Sequence, residues 1–167
     1  FSDPTWIAIL VAFEWMGLDG FTVSKPLAML FSALCVPLVY QTARLAMPDH
    51  RGPAPLFAAV VLALNAQFAI WSASALENSL WCLLLAIAVH QTVVGARNGR
   101  FFGSALAWLL LAWTRPEGIV YAAAGAFWYM SSLALGGRSM RPVVGWLAVF
   151  WIPTYLLEFA RLWYFAW

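Results

Sequence analysis

Charged residues are few in this chain, and the group best placed to bind a ligand is Arg115-Pro116-Glu117-Gly118. A guanidinium group matches the geometry of a phosphate and can hold it with two hydrogen bonds. Pro116 cannot continue a helix, and Gly118 permits a sharp turn into the next one. The segment therefore predicts a polar turn between two apolar helices, with Arg115 and Glu117 either lining a cavity or forming a pair that only closes the loop.

Glu77 and Asn78 stand at the start of another apolar segment, after Ser74. One interpretation is structural, because Ser74 could cap the following helix with Glu77 as its capping-box partner. The other is that Glu77 projects into the same cavity as Arg115. The sequence leaves both open.

The remaining polar candidates have simpler interpretations. Glu158 and Arg161 are three residues apart and could pair along one helix face, or Arg161 could extend to a membrane interface. His90 is isolated and is expected to be a hydrogen-bonded packing residue. Cys35 and Cys82 lie in apolar stretches, which favours buried thiols over a disulfide or a metal pair. No metal-ligand spacing, phosphate-binding glycine loop or nucleophile–base pair is present.

The composition indicates the environment in which these residues must work. Of 167 residues, 64% are hydrophobic and 10% are charged, against about 25% charged in ordinary soluble domains. A water-soluble domain of this size could not bury so much apolar surface. The slight positive charge is too sparse for a nucleic-acid-binding surface. We therefore predict an all-α, polytopic transmembrane helix bundle.

Charges and helix breakers divide the chain into apolar segments. A spanning helix needs about 20 apolar residues, and about six segments are predicted to span: 25–44, 53–73, 78–96, 101–113, 119–135 and 142–164. Pro4–Leu18 reaches only about 22 Å, which favours a short juxtamembrane or re-entrant helix. The whole chain, 1–167, is predicted to be one transmembrane domain. We expect it to be incomplete at both ends, since it begins without Met or a signal peptide and stops within an aromatic run.

Basic residues predict the orientation of the bundle. Three alternate loops carry paired arginines: Arg44 with Arg51, Arg97 with Arg100, and Arg138 with Arg141. The positive-inside rule makes these loops cytoplasmic. The other loops, including the one at Arg115, are then extracytoplasmic.

Four segments on this outer face resemble motifs of the GT-C class of glycosyltransferases, which take sugars from polyprenyl-phosphate donors. The likeness is to the bacterial branch of arabinofuranosyltransferases and protein mannosyltransferase-like proteins. The segments are Phe1-Ser2-Asp3-Pro4-Thr5-Trp6, Ser74-Ala75-Leu76-Glu77-Asn78, Arg115-Pro116-Glu117-Gly118 and Arg161-Leu162-Trp163-Tyr164-Phe165. The third matches the family's Arg-Pro-Glu-Gly outright. Ala75 and Ala166 replace glycines of the family pattern, and the fourth motif is cut short.

The resemblance implies a core fragment of an enzyme of the bacterial inner (plasma) membrane with its active face outside. It would transfer a sugar to an extracytoplasmic glycan, lipid or protein, with no cofactor and no metal. Arg115 and Arg161 would bind the donor phosphate. Residues expected around the sugar are Glu77, Asn78, Glu117, Trp71, Trp113 and Tyr164, although the aromatic three could equally be interfacial belt residues. The catalytic base is expected upstream of Phe1, and Asp3 does not match its position.

Two other functions remain open from the sequence. In a transporter or flippase, Glu77 and Arg115 would serve a substrate or proton path. In a non-catalytic membrane scaffold, neutralising Glu77 and Arg115 would damage only folding.

Overall fold

The computed structural model describes residues 3–48 and 52–165, and for Arg161 and Phe165 it describes the backbone alone. These residues form eight α-helices and no strands. The helices are α1 (Pro4–Trp15), α2 (Gly20–Ala46), α3 (Ala54–Ala63), α4 (Ala66–Ser72), α5 (Asn78–Asn98), α6 (Phe102–Thr114), α7 (Gly118–Leu135) and α8 (Arg141–Phe165). The all-α prediction is confirmed for this part of the chain, while Phe1, Ser2 and Arg51 lie outside it.

Fewer helices are long enough to span a membrane than the sequence suggested. Within the described ranges, α2, α5, α7 and α8 are long and apolar enough, and α3 with α4 would make a fifth span if the bent pair counts as one. The predicted segment 101–113 forms α6, which has only 13 residues. The count of about six spans is therefore not confirmed.

The second helix starts earlier than predicted because Asp19 caps it. The Asp19 carboxylate accepts hydrogen bonds from the backbone N–H of Thr22 (2.8 Å) and from its hydroxyl (2.5 Å). The hydrogen bond from the Thr22 hydroxyl, followed by the one from its backbone N–H, holds the pKa of Asp19 below its usual value. The helix therefore begins at Gly20 and continues through Pro26 and Pro37. Pro26, the second residue of the predicted segment 25–44, lies inside the helix.

The predicted single helix over 53–73 is two helices bent by 56°. Asn65 causes the break, since its side chain accepts a hydrogen bond from the N–H of Phe68 (2.9 Å) and so caps a new helix, α4. Leu64 closes α3 with a backbone bond to the Val60 carbonyl (2.9 Å). A polar residue that offers its own acceptor to the backbone ends one helix and starts the next.

Contacts between helices give their directions and define two ends of the bundle. Ser32 bonds to Ser79 (3.1 Å) and Thr42 to His90 (3.0 Å), so α2 and α5 run parallel. The Ser104 hydroxyl bonds to Thr92 (2.7 Å), so α6 returns antiparallel to α5. One end, called here the arginine end, carries Arg44, Arg97, Arg100, Arg138 and Arg141. The opposite end, called the Arg115 end, carries the α4–α5 and α6–α7 turns.

A buried polar network joins α5, α6 and α8 between these ends. Thr92 donates its hydroxyl to the Ala88 carbonyl (2.7 Å), so its oxygen accepts from the hydroxyl of Ser104 (2.7 Å) and the indole N–H of Trp108 (2.9 Å). Trp146 donates its indole N–H to Ser104 (3.1 Å). Each hydroxyl and indole donor is thus satisfied, which buried polar groups require.

The first helix is short, as the sequence predicted. It has 12 residues, about 18 Å, and lies beside the first half of α2. Trp6 is buried and contacts Phe31 edge-on, with 6.3 Å between ring centroids.

Candidate functional site

Arg115 lies in the turn between α6 and α7, directly after the last residue of α6. Thr114 is the last residue of α6, and Arg115 is extended (φ −147°, ψ 139°), as expected for a residue before proline. The Arg115 carbonyl accepts the N–H of Gly118 (2.9 Å), and the Pro116 carbonyl accepts that of Ile119 (3.1 Å). The turn is therefore tight and hydrogen-bonded, which fixes where the Arg115 side chain starts.

Gly118 allows this turn because its backbone packs against α6 too closely for any side chain. A Cβ on Gly118 would lie 2.6 Å from the Ala112 Cα and 2.7 Å from the Leu111 carbonyl oxygen. Both are backbone atoms of α6, which cannot move aside as a side chain could. Only glycine lets α7 begin this close to α6.

The α4–α5 turn has a strained centre and no capping box. Glu77 precedes α5 with helical dihedrals and makes no side-chain cap bond, while Ser74 donates its hydroxyl to the Trp71 carbonyl (2.7 Å). The capping-box interpretation of Ser74 and Glu77 is therefore wrong. Ala75 adopts φ +60°, a left-handed conformation that favours glycine, and it occupies the position where the resembled motif has glycine.

The two turns meet through the Arg115 guanidinium. Its Nη1 donates to the Asn78 side-chain oxygen (2.8 Å), and its Nη2 lies 3.4 Å from Glu117 Oε1. The Arg115 side chain is 36% exposed and that of Glu117 59%, so their ion pair stabilises the fold little. Asn78, from a different helix, is the partner that fixes the direction of the guanidinium.

A cleft of about 730 Å³ opens beside Arg115. Four of the predicted site residues line it, namely Trp71, Glu77, Asn78 and Arg115. The sequence placed these residues on two separate loops, and the structure brings them to one cavity.

An apolar groove of about 450 Å³ lies next to this cleft. Leu62, Phe68 and Cys82 line both cavities. The groove continues along α2 and α5 past Cys35 as far as Ala46, the last residue of α2. The cleft and the apolar groove therefore adjoin each other, and the polar side chains lie at the Arg115 end.

Other predicted site residues do not line the cleft. Glu117 reaches it only through Arg115. Trp113 packs against the core, with a buried indole N–H that has no hydrogen-bond partner among the described residues. Tyr164 is 74% exposed on α8. The side chain of Arg161 lies outside what the structure describes, so its proposed phosphate contact and its pairing with Glu158 stay predictions.

Three cleft residues with hydrogen-bonding side chains were missed by the sequence analysis: Asn65, Gln67 and Trp81. Asn65 and Gln67 are the polar interruptions of an otherwise apolar stretch, and that interruption was the available signal. Trp81 follows Asn78 by three residues and so shares its helix face. Its ring packs edge-on against Tyr121 of α7, with 5.2 Å between centroids.

The cleft offers one cation among hydrogen-bonding groups. Two of the five donors of a guanidinium are used on Asn78 and Glu117, which leaves the others for an anionic oxygen. The Asn78 amide donates, and the Glu77 carboxylate accepts. Among the described residues, no group of three or more His, Cys, Asp or Glu could hold a metal ion. The chemistry that fits is the binding of an anionic oxygen next to groups that can form hydrogen bonds.

Comparison of the chain with protein-family models, with curated proteins and with solved structures gives no match.

Proposed function

We propose that this chain is part of a membrane glycosyltransferase that transfers a sugar from a polyprenyl-phosphate donor to an extracytoplasmic glycan, lipid or protein. In this proposal the Arg115 end faces the outside of a bacterial inner membrane. The chain contributes the donor-binding part of the site.

The observation that carries the proposal is that the cleft beside Arg115 shares three lining residues with an apolar groove. Leu62, Phe68 and Cys82 belong to both cavities. A ligand that fills both must have a charged or hydroxyl-rich head and a long hydrocarbon chain. A polyprenyl-phosphate sugar has this form, with its phosphate at the junction of the two parts.

Arg115 is proposed to stabilise the departing phosphate. An acceptor hydroxyl attacks the anomeric carbon, the bond to the phosphate oxygen breaks, and the polyprenyl phosphate leaves with an added negative charge. A fixed cation aimed at that oxygen lowers the barrier. Glu77 is proposed to accept hydrogen bonds from sugar hydroxyls, and Trp71 to contact the sugar ring. A general base takes the proton of the acceptor hydroxyl, and we assign that role to none of the residues named here.

Binding of the donor tests the proposal on the chain itself. A photoreactive polyprenyl phosphate added to the purified protein should label residues of the groove, and Arg115→Gln should weaken labelling at least tenfold. Lys25→Gln is the matched control, because it removes one positive charge from an exposed residue that does not line the cleft. Equal labelling of the two variants would exclude Arg115 as the phosphate-binding residue.

The groove has its own readout in its two cysteines. Cys35 and Cys82 are free and line it. Polyprenyl phosphate should slow their alkylation by N-ethylmaleimide, and a short-chain phosphate should not. Unchanged alkylation with the long-chain ligand would show that the hydrocarbon chain lies elsewhere.

A transporter or flippase is the second candidate, and the break between α3 and α4 favours it. Discontinuous helices commonly form the substrate sites of transporters, and Asn65 at this break lines the cleft. Proteoliposomes with a fluorescent polyprenyl phosphate distinguish the two functions. Protein-dependent movement of the lipid between leaflets, without sugar transfer in native membranes, would favour the flippase.

A further inference from the structure

At the arginine end, two loops are locked together. Arg138, in the α7–α8 loop, donates its guanidinium N–H groups to the carbonyls of Ala96 (2.6 Å) and Arg97 in the last turn of α5. A cation at this position offsets the partial negative charge of a helix C-terminus. The α5–α6 and α7–α8 loops are thereby held side by side.

A second contact fixes the same pair of loops. A Cβ placed on Gly145 would lie only 2.5 Å from the ring of Phe101, so the ring packs closely against Gly145. Phe101 follows Arg100, and Gly145 lies one turn after Arg141. Arg97 and Arg100 of one loop therefore lie beside Arg138 and Arg141 of the other.

In the described part of the chain, these four arginines make no ion pair with a carboxylate. Between Asn78 and Leu157 the sequence contains one acidic residue, Glu117, at the opposite end of α6 and α7. All four arginines are exposed.

Exposed apolar side chains adjoin the arginines on the helices. Phe102 follows Arg100 by two residues, Leu135 precedes Arg138 by three, and Val144 follows Arg141 by three. All three are largely exposed, Leu135 at 90%. Leu135 and Val144 belong to α7 and α8, which are long and apolar enough to span a membrane, whereas Phe102 belongs to the shorter α6.

We propose that Arg97, Arg100, Arg138 and Arg141 form a binding site for the headgroup phosphate of an anionic phospholipid. The acyl chains lie against the apolar helix surface at Phe102, Leu135 and Val144. Clusters of basic residues next to membrane helices bind anionic lipids in this way. The site is separate from the cleft and does not depend on the proposed glycosyl transfer.

Native mass spectrometry of the full chain in detergent tests the site. Phosphatidylglycerol should stay bound where phosphatidylcholine is lost. The variant R97Q/R100Q/R141Q should lower phosphatidylglycerol binding at least tenfold, given about fivefold for each arginine near a membrane surface. Arg138 is left in place because it also holds the loops.

The single variant Arg141→Gln keeps the test valid if the triple variant does not fold. Lys25→Gln is its matched control, because it removes one positive charge at the other end of the bundle. Arg141→Gln should weaken phosphatidylglycerol binding, and Lys25→Gln should not. The proposal is overturned if the protein does not prefer phosphatidylglycerol, or if the triple variant binds it as well as the unmodified chain. Displacement by an equal concentration of inorganic phosphate would also overturn it, since that would indicate a site for free anions.

Discussion

The two ends of the bundle use arginine in different ways. At the Arg115 end, one arginine is held by an amide from another helix and by a nearby carboxylate, beside a cleft where two helices have ended. At the arginine end, Arg97, Arg100, Arg138 and Arg141 are exposed and make no ion pair with a carboxylate among the described residues, and Arg138 bonds to backbone carbonyls. A partnered cation keeps one direction, which suits the binding of a particular ligand. Unpartnered cations form a diffuse positive surface, which suits a membrane with anionic lipids.

The largest expected effect separates the two ends by function. Arg115→Ala should lower sugar transfer in native membranes at least about 100-fold, because one fixed donor to a developing charge contributes about 2.7 kcal/mol or more. Arg141→Ala should change transfer less than twofold. The protein level in the membrane should stay constant for both. Transfer that persists at the original rate in Arg115→Ala would remove the difference in function between the ends.

Substitution of one glycine at each end compares how tightly the two ends are packed. Gly118→Ala pushes against the backbone of α6 and should reduce the free energy of unfolding by about 2–3 kcal/mol. Gly145→Ala pushes against the ring of Phe101, a side chain that can shift, and should cost about 1 kcal/mol. Unfolding by denaturing detergent measures both. A larger loss for Gly145→Ala would show that the arginine end is the more rigid one.

Arg138→Gln tests whether an arginine at the arginine end also stabilises the fold. Loss of its bonds to the end of α5 should lower the free energy of unfolding by about 0.5–1 kcal/mol, a modest value because the side chain is exposed. Arg100→Gln, at a neighbouring arginine for which the structure gives no such bond, is the control and should have no measurable effect. Equal losses in the two variants would assign the effect to net charge.

The smallest expected effect is a gain at the Arg115 end. Ala75→Gly relieves a left-handed alanine and should raise the free energy of unfolding by about 0.5 kcal/mol, the relief being partly offset by the greater freedom of glycine in the unfolded chain. Ala73→Gly is the control, because Ala73 has ordinary helical dihedrals (φ −94°). It should not stabilise the protein.

Composition and charge pattern were sufficient for the coarse architecture. The hydrophobic fraction predicted an all-helical, membrane-type chain, and the spacing of paired arginines predicted that their loops share one end. Both depend on local sequence, since each apolar stretch must satisfy its own backbone hydrogen bonds in a helix. The two turns with Glu77 and Arg115 could be identified for the same reason, as charges at the limits of apolar stretches.

The helix boundaries and the number of spans depended on which backbone groups the polar side chains bind. The periodicity of apolar residues does not show this. Asp19 starts α2 early by capping it, and Asn65 divides a uniformly apolar stretch by capping α4. At Ser74 the sequence pattern allowed a capping box, but its hydroxyl binds the preceding helix. In each case one side chain chooses between nearby backbone partners, and the choice depends on how the chain turns.

The sequence by itself determined the helices, their apolar surfaces and the separation of basic loops from the Arg115 turn, because these follow from side chains close together in the chain. Only the tertiary structure decided that Arg115 bonds to Asn78, that Trp81 joins the cleft while Trp113 packs into the core, and that the cleft adjoins an apolar groove. Those outcomes depend on which helix faces meet, and the residues that meet are far apart in sequence.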